Sequence, residues 1–313
     1  LRNERDNSAG KSSAYVVRVN RAIDYVLQNL DQSLRLDLVA KAAGFSPFHF
    51  HRIFRLLVRE SLSDFVKRVR LERALVLLSR QDWAVRRRPS LTDIAFACGF
   101  ASSSDFTRCF RQRFGAPPSR FDVAAFRLKR RAEWEKAVTD PRRRNLLQRL
   151  KPGENPDGFS VRLRRLPART VAYLRVSNSF GGGVVPAAER LVKWAEVRGL
   201  ADGQWLGYMW DDPEIVARQD CRYDVGVEVP AMAVARDGDI GRFEFPAMQV
   251  AEVEVRGGID LEMRALDWLF GTWLPASGYA PTEQPCFEAW IGRPFAHGTE
   301  RFELRLQIPI ERG

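Results

Sequence analysis

Apolar residues at 16, 19, 23, 26, 27 and 30 recur at the helical period and predict a helix over residues 16–30. The polar stretch before it, 1–14, reads as a frayed end. A second helical segment covers 36–43 and stops at Gly44. Ser46-Pro47 opens a third, with serine as N-cap and proline at the first helical position, and turns Phe50, Ile53, Phe54 and Leu57 inward. A longer helix over 63–79, with Phe65, Val69, Leu71 and Leu75 inward, leads to the charged breaker Arg86-Arg87-Arg88-Pro89. Ser90 and Asp93 have the spacing of a capping box and start a short helix over 91–98. Ser102, Ser103 and Ser104 start another, whose stripe is Phe106, Cys109, Phe110 and Phe114.

Past residue 158 the pattern changes to alternation. Strands are predicted at 161–166, 170–176, 205–210, 223–229, 248–255, 287–291 and 302–308, with helices at 185–198 and 259–273. The order reads as an α+β domain in which a strand-helix-strand-strand unit occurs twice. Laying LVKWAEVRGL on ALDWLFGTWL and continuing to the next strands registers Tyr208 with Glu288 and Trp210 with Trp290.

The helical half repeats as well. DLVAKAAGFSPFHFHRIFR (37–55) lies over TDIAFACGFASSSDFTRCFR (92–111), with one extra residue after the second Gly-Phe. Thereafter the spacing is constant, pairing Phe50 with Phe106, Arg52 with Arg108, Phe54 with Phe110 and Phe65 with Phe121. Each copy is a short helix, a glycine turn and a second helix, the order of a helix-turn-helix. The expectation is an all-α double helix-turn-helix domain over 15–125, a basic helical extension and linker over 126–158, and the α+β domain over 159–313.

Charge follows the same division. Residues 1–158 hold 32 Lys and Arg against 17 Asp and Glu, a net of +15, and residues 159–313 hold 18 against 22, a net of −4. A basic half suits a polyanion, while the acidic half holds six of the eight tryptophans and suggests a different task. No apolar run reaches a membrane span, and four scattered cysteines fit a reducing cytoplasm rather than a disulfide framework.

The stretch LTDIAFACGFASSSDFTRCFRQRFGAPPSRF (91–121) resembles the signature of the AraC family of bacterial transcription regulators, and the resemblance covers about 17–122. Asp122 stands where the family commonly has Arg, and Arg59 where it commonly has Gly. The second half, through DDPE (211–214), CRYDVGVEV (221–229) and CFEAW (286–290), resembles the GyrI-like effector-binding domain. Together the resemblances imply a cytoplasmic regulator that binds double-stranded DNA and a small, lipophilic or cationic effector. They add RNA polymerase as a partner, and imply no membrane, cofactor, metal or enzymatic activity. Two alternatives come with the second half: a hydrolase that uses a glutamate with an aromatic partner, and an inhibitor module docking on an enzyme.

The second helix of each helix-turn-helix enters the major groove. In the first copy Phe48, His51, Arg52 and Arg55 are the expected DNA contacts; the family's base-reading positions match Phe48, His51 and Arg52. Arg52 suits guanine O6 and N7, and Phe48 a thymine methyl. In the second copy the set is Ser103, Ser104, Thr107, Arg108 and Arg111. His49 and His51 lie two residues apart, which on a helix sends them to different sides and argues against a metal site. Gly181-Gly182-Gly183 matches no phosphate-binding motif and reads as a turn. Glu288 shares a strand face with Cys286 and Trp290. Facing Tyr208 and Trp210, it is expected to hold a lipophilic cation by charge and cation–π attraction, and the resemblance points to the same glutamate.

Overall fold

A computed structural model describes residues 2–79, 89–138, 150–179, 182–233 and 239–312. The basic clusters at 86–88 and 142–144, and Gly181, lie outside them. The chain divides into two compact units, the first mainly residues up to Ala125 and the second mainly Phe126 onward.

The first unit is helical: α1 (Arg2–Gln28), α2 (Leu36–Ala42), α3 (Pro47–Val58), α4 (Leu62–Ser79), α5 (Leu91–Ala97) and α6 (Ser103–Phe114). Helix α1 starts at Arg2, so the polar N-terminal stretch expected to fray continues the helix; propagation adds a hydrogen bond per residue once the turn is nucleated. Val19, Ile23 and Val26 of α1, Val39 and Ala40 of α2, Phe50 and Phe54 of α3 and Phe65 and Val69 of α4 share one core. The repeat is visible in the backbone. Gly44 and Gly99 turn the chain between the two helices of each copy with φ of +69° and +77°, and a Cβ on Gly99 would sit 2.0 Å from the Leu30 carbonyl. At the end of each second helix, Arg59 and Gly115 both cap in the left-handed region, with φ of 69° and 82°. The Ser90–Asp93 capping box forms with both reciprocal hydrogen bonds. Asp122, the other departure from the family pattern, accepts a hydrogen bond from the Ala125 amide at the start of α7 (Val123–Val138).

The second unit begins along α7. Its Arg127 pairs with Asp212 at 2.8 Å and Glu214 at 2.7 Å, and its buried Arg131 with Asp267 at 2.6 Å and Glu214 at 3.2 Å. Residues 150–158, read from sequence as linker, are also tied down, with Gly153 bonded to Thr272 and Asp157 paired with Arg264. Among the described residues, nine strands form one sheet: β1 (Arg162–Leu166), β2 (Arg169–Ser177), β3 (Trp205–Met209), β4 (Arg222–Val229), β5 (Gly241–Phe245), β6 (Met248–Gly257), β7 (Tyr279–Pro281), β8 (Cys286–Trp290) and β9 (Phe302–Arg312). The order is β1-β6-β9-β8-β3-β4-β2-β5, with β7 beside β9. Helix α8 (Val184–Val197) lies over β2 and β4. Helix α9 (Ile259–Trp268), continued by a π-turn (Leu269–Trp273) and α10 (Leu274–Ser277), lies over β6 and β9.

The repeated unit is visible in the topology. The unit β2-α8-β3-β4 and the unit β6-α9-β8-β9 take mirrored places in the strand order, and β3 meets β8 antiparallel at the centre, on the floor between the helices. Gly207 lies opposite Glu288 and Tyr208 opposite Phe287. A two-fold axis through an antiparallel pair relates residues on the same sheet face, so aligning Trp205–Met209 on Cys286–Trp290 superposes Gly207 on Glu288. The register expected from sequence, Tyr208 on Glu288, is one residue off, and a one-residue slip exchanges the faces of a strand.

Candidate DNA interface and sensing site

Helix α3 turns Phe50 and Phe54 fully inward and leaves Phe48, His49, His51, Arg52 and Arg55 exposed, with Phe48 70% accessible. A phenylalanine kept in water at the N-terminal end of such a helix costs solvation unless a partner covers it. The Ser46 hydroxyl and the His49 Nδ1 meet at 3.1 Å. In the second copy, Ser102 caps α6 by accepting from the Asp105 amide. Ser103, Ser104, Thr107, Arg108 and Arg111 line one open groove, joined by Gln112 and Gly115. Arg108 is held at 2.6 Å by Asp105 one turn earlier. Cys98 and Cys109 are buried, in the inward positions the periodicity assigns.

On the helix-bearing face of the second unit, Glu288 of β8 lies beside Trp290 and across from Gly207. Tyr223 of β4 leans over Gly207, and its hydroxyl donates to Glu288 Oε2. A Cβ at Gly207 would fall 1.8 Å from the Tyr223 oxygen and 2.7 Å from Glu288 Oε2, so only glycine leaves room for this bond. The Trp290 side chain lies against Tyr223 in turn, and Glu262 of α9 is hydrogen-bonded to Glu288. All four side chains are at most 8% exposed. Burial pushes the Glu288 carboxyl up to about 7, while hydrogen bonds to Tyr223 and Glu262 hold it from rising further. Burial and then the charge of Glu288 push Glu262 well above the usual carboxylate range, and the same two causes raise the Tyr223 phenol. Among the described residues, no Lys or Arg acts on either carboxyl.

Tyr208 and Trp210 do not share this site. Tyr208 lies on the other sheet face, in an aromatic cluster with Phe243, Phe245 and Phe287, against which Trp210 packs. Trp210 Nε1 donates to Asp224 at 2.6 Å, and Asp224 forms a buried bidentate pair with Arg175. The expected pocket of four therefore separates into Glu288 with Trp290 on one face and Tyr208 with Trp210 on the other.

Known proteins resemble the two units separately. Residues 39–123 match the model of a helix-turn-helix domain, and residues 159–311 match the GyrI-like small molecule binding domain. The regulatory protein SoxS of Escherichia coli K12 is 34% identical over 97 residues, 31% of this chain and 85% of SoxS. The DNA gyrase inhibitor of Edwardsiella piscicida is 33% identical over 161 residues, 49% of this chain and 99% of that protein. The chain is an AraC-family regulator with a C-terminal GyrI-like domain. An AraC-type regulator from Chromobacterium violaceum of known structure is 26% identical, covers 33% of this chain and 86% of its own, and gives a TM-score of 0.29.

The AraC-family regulator thus binds DNA through its first unit and a small molecule through its second. Sequence reasoning missed three members of the candidate cluster: Gly207, Tyr223 and Glu262. Two left a signal. Gly207 is a glycine inside a strand pattern, the mark of a close approach. Glu262 falls on the inward stripe of α9 with Ala265 and Leu269, where an acid is out of place. Tyr223 left none, because any strand of this composition offers a tyrosine.

Proposed function

We propose that the AraC-family regulator senses a small lipophilic cation, that Glu288 is its counter-charge and Trp290 its aromatic wall, and that occupancy alters binding to DNA through Phe48, His51, Arg52 and Arg55 and the α6 groove. The observation that carries this reading is a buried pair of carboxyls, Glu288 and Glu262, with no Lys or Arg among the described residues acting on either. Buried carboxyls of this kind are costly unless paired, and a cation supplies the missing partner. Tyr223 serves as a hydrogen-bond donor, and binding without turnover is the expected outcome. Calorimetric titration of N-methylquinolinium and of its neutral isostere 1-methylnaphthalene tests the reading. The cation should bind at least tenfold more tightly, and Glu288→Gln should abolish the difference. Equal affinity of cation and isostere for the wild type would sink it.

A second reading, docking of the GyrI-like domain on a partner enzyme, draws support from the similarity to a DNA gyrase inhibitor along almost that protein's whole length. Inhibition of purified gyrase supercoiling by the full chain would favour it.

A further inference from the structure

Two carboxyls that bond one another need at least one proton between them, because an ionised carboxylate only accepts. Glu288 and Glu262 make such a bond, and Glu288 also accepts from Tyr223. Among the described residues, the groups around Glu288 offer no other charge. From β3 it meets Gly207, and from β9 the apolar Leu306 lies opposite. From β4 comes Tyr223, and from α9 Glu262. Helix α8 turns Ala188, Leu191 and Ala195 inward and keeps Glu189, Arg190, Lys193 and Glu196 exposed. On α9, Arg264 is engaged by Asp157 and Asp260, and Asp267 by Arg131.

We propose that Glu262 is a positioning residue that keeps a proton and donates it in a hydrogen bond to Glu288, and that the sensor therefore takes up its cation in exchange for one proton. The inference rests on the cation-sensing reading above. In the exchange, the Glu288 carboxylic acid loses its proton to water and becomes the carboxylate that faces the bound cation; Glu262 keeps its proton throughout. The total charge of the site is unchanged, which is what a dry, low-dielectric environment favours. A Glu262 that lost its proton would set two negative charges side by side against one positive charge. The raised titration of both groups agrees with this order, Glu288 ionising near neutrality and Glu262 well above the usual range.

The consequence is a sensor gated by pH, with Glu262 setting the threshold through the hydrogen bond that favours ionised Glu288. The test is titration of the full chain with N-methylquinolinium, a cation that does not itself titrate, at pH 6 to 8.5 in buffers of different ionisation enthalpy. At pH 6 about one proton should be released per cation, falling toward none at pH 8.5, and affinity should weaken about tenfold per pH unit below the midpoint. Glu262→Leu removes the donor and should move the midpoint up by about one unit, and Glu262→Gln, which still donates, should restore it. Binding with no proton release at pH 6 would overturn the exchange while leaving cation sensing intact. A midpoint left in place by Glu262→Leu, or lost equally in the leucine and glutamine variants, would overturn the role of Glu262. If Glu262→Leu does not fold, the proton count of the wild type and the midpoint of Glu262→Gln decide alone. Absence of cation binding at every pH would instead remove the functional reading beneath it.

Discussion

Gly207→Ala adds one methyl group at the centre of the sensing face. In an open strand the change would help, since glycine costs roughly 0.5–1 kcal/mol there relative to alanine. Here the new Cβ falls 1.8 Å from the Tyr223 oxygen and 2.6 Å from its ring carbon, far inside van der Waals contact. The phenol is 7% exposed and bonded at its oxygen to Glu288, so it can move only by breaking that bond. Overpacking of this kind costs about 1–3 kcal/mol. Losing a hydrogen bond to a buried carboxyl costs about 1.5–3 kcal/mol more. The second unit should therefore lose about 3–5 kcal/mol, opposite in sign to the effect at an open site. Urea unfolding followed by fluorescence of the tryptophans at 194, 205, 210, 268, 273 and 290 measures it as a lower midpoint. Combined with Tyr223→Phe, the two losses should fall well short of their sum, because both remove the same bond. A midpoint for Gly207→Ala equal to or above wild type would refute the close approach.

Arg59→Gly should stabilise the first unit by about 0.5–1 kcal/mol, read as a higher thermal midpoint: Arg59 holds a φ of 69° that costs an L residue about 1–2 kcal/mol, partly offset by glycine's freedom when unfolded. Stability of the second unit should fall as pH rises from 4.5 to 7, because the folded Glu288 holds its proton up to about 7 and the unfolded one loses it near 4.5. The contribution is full below 4.5 and about 3 kcal/mol is lost across the window, measured as the difference in pH profile between wild type and Glu288→Gln. Arg52→Ala should relax preference at one base-pair position by about 1–3 kcal/mol, whereas Arg55→Ala, if it meets phosphate, should weaken all sequences alike and lower the salt slope by about one; competition binding over a salt series separates them.

Much of this architecture was legible because periodicity is a local property. The stripe from residue 16 to 30, the Ser90–Asp93 box and the twin glycine turns each declare themselves within a few residues, and the constant spacing from Phe50 to Phe106 ties the copies together. Seven of the strands declared themselves by alternation. Strands β5 and β7 did not: GRFEF follows a glycine- and aspartate-rich stretch, and YAP is three residues ending in proline. The candidate site was half legible. Glu288 and Trp290 sit two apart on one strand, so their shared face follows from the pleat. Tyr208 was misassigned because the face of a neighbouring strand depends on register, which a single pair of loose repeats does not determine to the residue. Glu262 and Tyr223 reach the site only through helix packing and strand pairing, neither of which is written locally.

The pairing of Gly207 with Glu288 across the pseudo-two-fold axis also bears on ancestry and stoichiometry. A strictly symmetric ancestor, built from two identical units, would have placed like residues face to face on the axis: two acids in mutual repulsion or two glycines with no charge at all. In the present chain the two units differ at this point, one carrying the acid and the other no side chain, which leaves space. The halves are not interchangeable at this point, and under the cation-sensing proposal one cation per polypeptide, not two, is the expected stoichiometry.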